Sequence, residues 1–111
     1  MNKWMLTGRL TKDPDTNVTE SGTVITMMYL AIRRDYKDKK TDKYESDFFR
    51  FKSFGKTADF IHAYVKKGDL VEAEVAPRNN NYEKDGETVY QNEYTVRAIS
   101  KLSSKKSGET H

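Results

Sequence analysis

The sequence of 111 residues contains no cysteine, two prolines and one tryptophan. The absence of cysteine excludes disulfides, thiolate nucleophiles and cysteine-ligated zinc sites, and it fits a reducing compartment. No apolar run approaches the roughly 18 residues that a membrane-spanning helix needs. The amino terminus, Met1 to Trp4, enters a structured pattern directly and shows no apolar stretch of a signal peptide. We therefore expect a cytoplasmic protein.

Apolar residues are also scarce, at 35%, while 33% of the residues are charged. A chain of this length forms one domain with a modest core, and a small core gains from self-association. The net charge of +3 is compatible with nucleic acid but is shared by many ordinary proteins. The placement of the charges must therefore carry the functional argument.

The first half of the chain has the period of two that is typical of strands. Alternation predicts strands over Lys3–Leu10, Thr23–Arg33 and Phe48–Phe54. Between the last two, Arg34–Asp47 carries charges of both signs, which predicts an extended, poorly ordered hairpin loop.

The second half begins with helical spacing over Ala58–Lys67, which Gly68 is expected to close as the residue after the helix. Leu70–Ala76 follows as a fourth strand. Arg78–Tyr82 and Thr88–Ile99 then flank a hairpin signal at Asp85-Gly86, and together they are counted as the fifth strand. Five strands with one short helix after the third predict an all-β, five-stranded OB-fold barrel with extended hairpin loops. We expect this domain over residues 1–100 and a disordered Lys/Ser-rich tail over 101–111.

The third predicted strand carries the clearest functional signal. Alternation places Phe48, Arg50, Lys52 and Phe54 on one side, with Phe49, Phe51 and Ser53 on the other. Burying two unpaired cations is costly, so the first side is expected to face solvent. Exposed rings beside cations suit single-stranded nucleic acid, whose unpaired bases stack on aromatic side chains while Lys and Arg neutralise phosphates. A sheet face whose Lys and Arg stems merely cover the rings remains the alternative.

Two tyrosines in polar segments extend this pattern. Tyr36 stands beside Arg34 and Lys37 in the charged hairpin, and Tyr82 follows Arg78-Asn79-Asn80-Asn81. A single tyrosine in a loop is usually an ordinary surface residue. Several rings near basic residues on arms beside one barrel face favour a binding surface.

Several segments resemble, in order and spacing, the bacterial and phage single-stranded DNA-binding (SSB) proteins over roughly residues 1–100. They are Asn2-Lys3, Gly8-Arg9-Leu10, Asp13-Pro14, Ser21-Gly22, Leu30-Ala31, Phe54-Gly55-Lys56, Tyr64-Val65-Lys66-Lys67-Gly68, Tyr82, Gly86, Tyr90 and Glu93. The resemblance implies an OB-fold subunit of a homotetramer that coats and protects single-stranded DNA in replication, recombination or repair, in the nucleoid or at replication sites, or in a host cytoplasm if it is phage-encoded. A dimer is the alternative assembly. The resemblance also implies base stacking at Tyr36, Phe48, Phe54 and Tyr82. Together with Lys52 from the alternation, the expected phosphate contacts are Lys3, Arg50, Lys52, Lys56, Lys67 and Arg78.

Three departures from the family pattern stand out. The stacking positions carry Phe and Tyr where relatives often have Trp, and the only tryptophan is Trp4. Asn79–Asn81 replaces residues that are often basic, which predicts a shallower salt dependence of binding. The long tail with an acidic-aromatic tip is absent, so recruitment of replication proteins is doubtful. Trp4 is expected either in the barrel core or as an anchor between subunits.

The same sequence argues against an enzyme. His62 and His111 lack metal-ligand spacing, no serine completes a triad with Asp59 and His62, and no phosphate-binding glycine loop occurs. We therefore expect no enzyme, no metal and no cofactor. An OB-fold that binds RNA, or one that binds only proteins, remains the alternative, because stacking alone does not separate DNA from RNA.

Overall fold

Within residues 1–104, which the computed structural model describes, eight strands and one helix follow one another along the chain. They are β1 (Trp4–Leu10), β2 (Asp15–Val18), β3 (Val24–Lys37), β4 (Tyr44–Phe54), α1 (Gly55–Tyr64), β5 (Leu70–Asn79), β6 (Tyr82–Lys84), β7 (Glu87–Val89) and β8 (Asn92–Ser103). None of the described helical residues forms a segment long and apolar enough to cross a bilayer.

Five strands close into a barrel in the order β1-β5-β8-β4-β3, with β3 returning to β1. The β3–β1 ladder is short and joins Arg9 to Ala31 and Leu10 to Leu30. Closure on the other side uses a parallel contact between Lys52 of β4 and Thr95 of β8. The predicted OB-fold barrel with one helix after its third long strand is therefore confirmed. The short strand β2 extends the sheet beside β3, and β6 and β7 form a separate hairpin.

The barrel closes because β1 and β3 approach each other at a glycine. A Cβ atom on Gly8 would lie 3.1 Å from the carbonyl oxygen of Ala31 and 3.2 Å from Cβ of Leu30. Both distances are tighter than ordinary contacts, so a side chain here would push the two strands apart. Gly8 thus permits the approach that brings Leu10 beside Leu30.

The core is built from the inward side of each barrel strand and one side of α1. Phe51, Met28 and Ile61 are fully buried, as are the small polar side chains of Thr26 and Ser53. The Thr26 hydroxyl donates to the carbonyl oxygen of Ala58 in α1, and the Ser53 hydroxyl donates to the backbone carbonyl of Thr26. These bonds satisfy the two hydroxyl donors inside the barrel. The inward side predicted for the third strand is confirmed by the burial of Phe51 and Ser53.

Trp4 packs against one end of this core. Its ring lies 5.3 Å from Phe49, 5.5 Å from Tyr94 and 5.7 Å from Phe51, between ring centroids, in edge-on or tilted arrangements. Such geometries are the favourable ones for aromatic pairs. The single tryptophan therefore belongs to the packing of the barrel itself.

The helix differs from the prediction at both ends. It begins at Gly55 rather than Ala58, because Gly55 adopts a φ of +58° and turns the chain from β4 directly into the helix. It ends at Tyr64, and Val65 leaves the helix in an extended conformation with its side chain in the core. Gly68, with φ of +88°, serves the following turn rather than the end of the helix, and its N–H donates to the carbonyl oxygen of Leu10.

The charged segment over 34–47 is also more ordered than predicted. β3 and β4 continue into it as a two-stranded arm, and the connecting loop is confined to residues 38–43. The Arg34 guanidinium bonds both carboxylate oxygens of Asp47, at 3.0 and 2.8 Å, and reaches Glu45 at 3.3 Å. The Asp38 carboxylate accepts from the backbone N–H groups of Lys40 and Thr41 and closes the turn. These contacts between the strands and within the turn help to order residues 34–47, whose charged composition predicts a loop.

Two further boundaries differ. The segment between Pro14 and Glu20, for which the sequence predicts no strand, contains β2 because it pairs along the edge of β3. At the carboxyl end, β8 continues through Ser103 by pairing with Leu70 of β5, whereas the tail was expected from residue 101. The rest of that expected tail, residues 105–111, lies outside the described residues.

The core assignment predicts a large difference between two phenylalanines of β4. Replacing the fully buried Phe51 with alanine is expected to lower the free energy of unfolding by about 3–5 kcal/mol, since it leaves a cavity in the barrel. Phe48→Ala removes the same atoms from a ring that is 72% exposed, so its effect should stay within about 0.5 kcal/mol. Urea unfolding measures both, and equal losses for the two variants would contradict the assignment.

The arm makes a prediction about acid stability. The guanidinium of Arg34 holds the pKa of Asp47 below its ordinary value of 3.8. A carboxyl group with a lowered pKa stabilises the fold above that ordinary value, and this contribution disappears as the pH falls through the lowered one. In Arg34→Leu, carboxyl NMR titration should show the pKa of Asp47 move up towards 3.8. An unchanged titration would mean that another group sets it.

Candidate nucleic-acid interface

One side of β4 carries rings and cations while the other side builds the core. Phe48 is 72% exposed and Phe54 is 39% exposed. Arg50 is exposed and Lys52 is half-buried between them, whereas Phe51 and Ser53 on the other side are fully buried. We call the solvent side of β4, made by Phe48, Arg50, Lys52 and Phe54, the outer face of β4. This face exists because successive side chains of a strand point to opposite sides.

β3 widens this face through its register with β4. Met27 stands opposite Lys52, Tyr29 opposite Arg50 and Ala31 opposite Phe48. The Tyr29 hydroxyl donates to Asp15 at 3.0 Å, which raises the pKa of Tyr29 above its ordinary value. Sequence reasoning missed Met27 and Tyr29, which the period of two places on the side of β3 away from the buried Met28 and Leu30.

The side chain of Lys12, from the segment between β1 and β2, lies over the Tyr29 ring. The Lys12 ammonium lies 4.1 Å from the centroid of the Tyr29 ring and 3.5 Å from the carboxylate of Asp15. A cation held this close to a ring makes a favourable cation–π contact. Tyr29 therefore adds a ring to the sheet surface, with Lys12 already lying against it.

A groove of about 310 Å³ opens between β4 and the start of β8. Its lining mixes the outer face of β4 with amide side chains from the segments around the β6–β7 hairpin. It includes Met27, Phe48, Arg50, Asn80, Gln91 and Asn92. Amides supply both donors and acceptors, so the groove combines ring surfaces, a cation and groups able to bond base edges.

A carboxylate lies beneath the cations of this surface. Oε1 of Glu93 is 3.7 Å from the ammonium of Lys52 and 3.6 Å from Nη2 of Arg78. The atom is buried and accepts no hydrogen bond within the described part of the chain. Two nearby cations offset the cost of placing this charge away from water. Glu93 thereby neutralises part of the basic surface, a pairing that no feature of the sequence indicates.

The remaining predicted cations lie in different surroundings. Lys56 is exposed in the first turn of α1, two residues after Phe54. The Lys3 ammonium pairs with Glu74 of β5 at 3.3 Å. Lys67 lies in the turn after α1, where its backbone N–H donates to Asp13. The structure therefore gathers Arg50, Lys52 and Arg78 at the groove and places Lys3 and Lys67 beside other strands and turns.

The four predicted stacking rings fall into two groups. Phe48 and Phe54 share the outer face of β4, and Lys52 lies 5.3 Å from the centroid of the Phe54 ring. Tyr36, 66% exposed, stands on the β3–β4 arm, and Tyr82, 48% exposed, opens the β6–β7 hairpin opposite Val89. The structure thus brings two rings together on the barrel and sets the other two on separate arms.

These features are those of a surface for flat, negatively charged ligands. Exposed rings offer surfaces on which bases stack, and adjacent cations attract phosphates. The groove is open and lacks, within residues 1–104, the enclosed depth in which a small molecule would lose most of its solvent contact. An extended polymer that runs across β4 fits this shape better.

Sequence comparison places the chain among known proteins. The model of the single-strand binding protein family matches residues 1–102. The chain is 33% identical to the single-stranded DNA-binding protein of Staphylococcus aureus, over 99% of this chain and 70% of that protein. It is 34% identical to single-stranded DNA-binding protein 3 of Listeria innocua, over 97% of this chain and 68% of that protein.

Structural comparison agrees on the fold. The chain superposes on the single-stranded DNA-binding protein of Thermus aquaticus with a TM-score of 0.79 and 26% identity, covering 93% of this chain and 50% of that one. It thus spans about half the length of the Thermus aquaticus protein. A Plasmodium falciparum SSB solved in complex with single-stranded DNA gives a TM-score of 0.77 at 21% identity, covering 93% of this chain and 96% of that one, which shows a shared fold. From the family match over almost the whole described chain, we conclude that this protein belongs to the single-strand binding protein family.

Proposed function

We propose that this protein binds single-stranded DNA independently of sequence and coats it by stacking bases on exposed rings, without catalysing a reaction. The observation that carries the proposal is the outer face of β4, where Phe48 and Phe54 are exposed beside Arg50 and Lys52. The names of the Staphylococcus aureus and Listeria innocua relatives support it, as does membership of the family. Coating of this kind serves replication, recombination and repair.

The arrangement favours single strands over duplexes. Duplex bases are stacked on one another and offer no free ring surface, whereas unpaired bases do. The proposed stacking residues are Tyr36, Phe48, Phe54 and Tyr82, and the proposed phosphate contacts are Lys3, Arg50, Lys52, Lys56, Lys67 and Arg78. Because the rings of one strand cannot read base identity by hydrogen bonding, affinity should vary little with sequence.

The stacking proposal is tested by removing the two rings of β4. Phe48→Ala and Phe54→Ala should each weaken binding to oligo(dT) by about 1–3 kcal/mol, the usual effect of losing one stacked base. Fluorescence anisotropy with a labelled oligonucleotide measures the loss. Tyr64→Ala removes a ring that is 61% exposed on α1 and serves as the matched control. If both β4 variants fold and bind as tightly as the control, the interface is elsewhere.

The ion pairs of Glu93 predict an unusual salt dependence. Glu93→Gln should free Lys52 and Arg78 for phosphates, so log affinity for oligo(dT) should fall more steeply with log salt, by about 0.7 for each additional phosphate that the protein neutralises. Glu72→Gln removes an equal charge from an exposed position on β5 and should leave the slope unchanged. Equal slopes for the Glu93 variant and the parent would show that these cations do not meet phosphates.

The choice of nucleic acid needs a direct comparison. Stacking and phosphate neutralisation suit RNA as well as DNA, because only contacts to the 2′-hydroxyl separate the two. We expect oligo(dT) to displace labelled oligo(dT) at lower concentration than oligo(U) of equal length. Equal or better competition by oligo(U) would favour an RNA-binding role, and binding of neither would favour a protein-interaction module.

We further propose that the chain forms a homo-oligomer, a tetramer or a dimer, through β1. The ladder between β1 and β3 is confined to Arg9 and Leu10, and a groove of about 850 Å³ lies along the rest of β1. Met5, 57% exposed, points outward there, and a strand edge that no other strand of residues 1–104 covers favours pairing with a second chain. Self-association would cover Met5 and the open edge of β1.

Light scattering tests this arrangement. The parent should show a mass above that of one chain. Met5→Lys replaces an exposed apolar side chain with a charged one, and should shift the mass towards one chain because burying the ammonium between two copies is costly. Val18→Lys, on the edge of the short strand β2, is the control and should not change the mass. A parent with the mass of a single chain would refute the proposal.

A further inference from the structure

The β3–β4 arm has two sides that differ in how their cations are held. On one side, Arg34 is paired with Asp47 and Glu45 of β4. The two carboxylates carry more negative charge than the single guanidinium carries positive charge. The guanidinium of Arg34 is therefore already neutralised and is a poor partner for a phosphate.

The opposite side of the arm carries cations that are held more loosely. β3 contributes Arg33 and Lys37. The Lys37 ammonium reaches the exposed Asp42 carboxylate only at 4.0 Å, and an exposed pair at this distance contributes little. Lys37 stands opposite Tyr44 in the ladder, and Arg33 stands opposite Ser46. Paired residues of antiparallel strands point to the same side, so Arg33, Lys37 and Tyr44 form one surface.

This surface continues the outer face of β4. Tyr44, Ser46 and Phe48 alternate with Glu45 and Asp47 along one strand, so they share a side. Tyr36 precedes Lys37 on β3, so alternation places the Tyr36 side chain on the other side of the arm, with Arg34. Tyr44, not Tyr36, is the arm tyrosine that lies in line with Phe48 and Phe54.

The local contacts of Tyr44 resemble those of Phe54 at the other end of this line. The Arg33 guanidinium lies 4.6 Å from the centroid of the Tyr44 ring and the Lys37 ammonium lies 5.7 Å from it. The ring is still 45% exposed. Phe54 has a comparable cation in Lys52, at 5.3 Å. Bases stack on guanidinium planes as well as on rings, so Arg33 adds to the available surface.

The spacing suits a strand that runs along β4. At about 3.3 Å per residue, Tyr44 lies about 13 Å from Phe48, and Phe48 lies about 20 Å from Phe54. A chain of nucleotides that follows β4 would therefore meet three rings in succession. Cations stand beside the first and last of them, where phosphates need neutralising.

From this geometry we infer that Tyr44, Arg33 and Lys37 form an additional nucleotide subsite, at which one base stacks on the Tyr44 ring and its phosphate meets the two cations. The inference rests on the proposed function, and it extends the interface beyond the rings expected from the sequence. The pair of Arg33 and Tyr44 is then a binding element as well as a contact that stiffens the arm.

A tryptophan placed at position 44 tests the subsite directly. The tryptophan fluorescence of Tyr44→Trp should fall when oligo(dT) binds, because a stacked base quenches the indole. This fall should exceed any change that Trp4 shows in the parent. Tyr64→Trp, on the exposed surface of α1, is the matched control and should show no added quenching. If Tyr44→Trp binds oligo(dT) as the parent does and is quenched no more than the control, the subsite does not exist.

Affinity for oligonucleotides of two lengths supplies the second test. Tyr44→Ala should weaken binding of a long oligo(dT) about tenfold, the effect of one lost stacked base, and should change binding of an oligomer too short to reach the arm far less. An equal loss at both lengths would indicate damage to the fold and overturn the inference. If the parent does not bind oligo(dT), the proposed function is overturned as well. If Phe48→Ala loses affinity for oligo(dT) and Tyr44→Ala does not, only the subsite is overturned.

Discussion

The pleat of β4 is the constraint on which the rest of the structure depends. Side chains alternate along a strand, so burying Phe51 and Ser53 in the barrel forces Phe48, Arg50, Lys52 and Phe54 into solvent. The same residues that close the core therefore fix the spacing of the exposed rings. A shift of register by one residue would bury two cations and expose Phe51, so the fold and the interface are specified by one pattern.

Charge in this interface is arranged by pairing more than by excess. Glu93 lies between Lys52 and Arg78, and Arg34 is held by two carboxylates on the arm. A net charge of +3 is therefore compatible with binding of a nucleic acid, because several cations are placed directly beside rings. Arg50 and Arg33 are exposed cations that stand next to Phe48 and Tyr44 along this line. A strand of DNA would have to compete with Glu93 for its two cations, which tempers affinity without removing the stacking surfaces.

The barrel and the outer face of β4 could be predicted from the sequence because both follow from a period of two, which needs no knowledge of distant contacts. Prediction failed where long-range pairing decides the outcome. The β3–β4 ladder and the ion pairs of Arg34 order a segment whose composition predicts a loop, and Glu93 meets Lys52 only because β8 lies beside β4. The side on which Tyr44 stands follows from the same period of two, but only once β4 is known to begin at Tyr44, in a segment whose charges predict a loop.

The central claim is that single-stranded DNA lies along the outer face of β4. Ultraviolet crosslinking of oligo(dT) to the protein, followed by peptide mapping by mass spectrometry, tests it most directly because each attachment point is identified. The account predicts crosslinks at Phe48 and Phe54, with none at the buried Phe51 or at Tyr64 on α1. Crosslinks confined to α1 or to the groove along β1, with β4 unmodified, would contradict it.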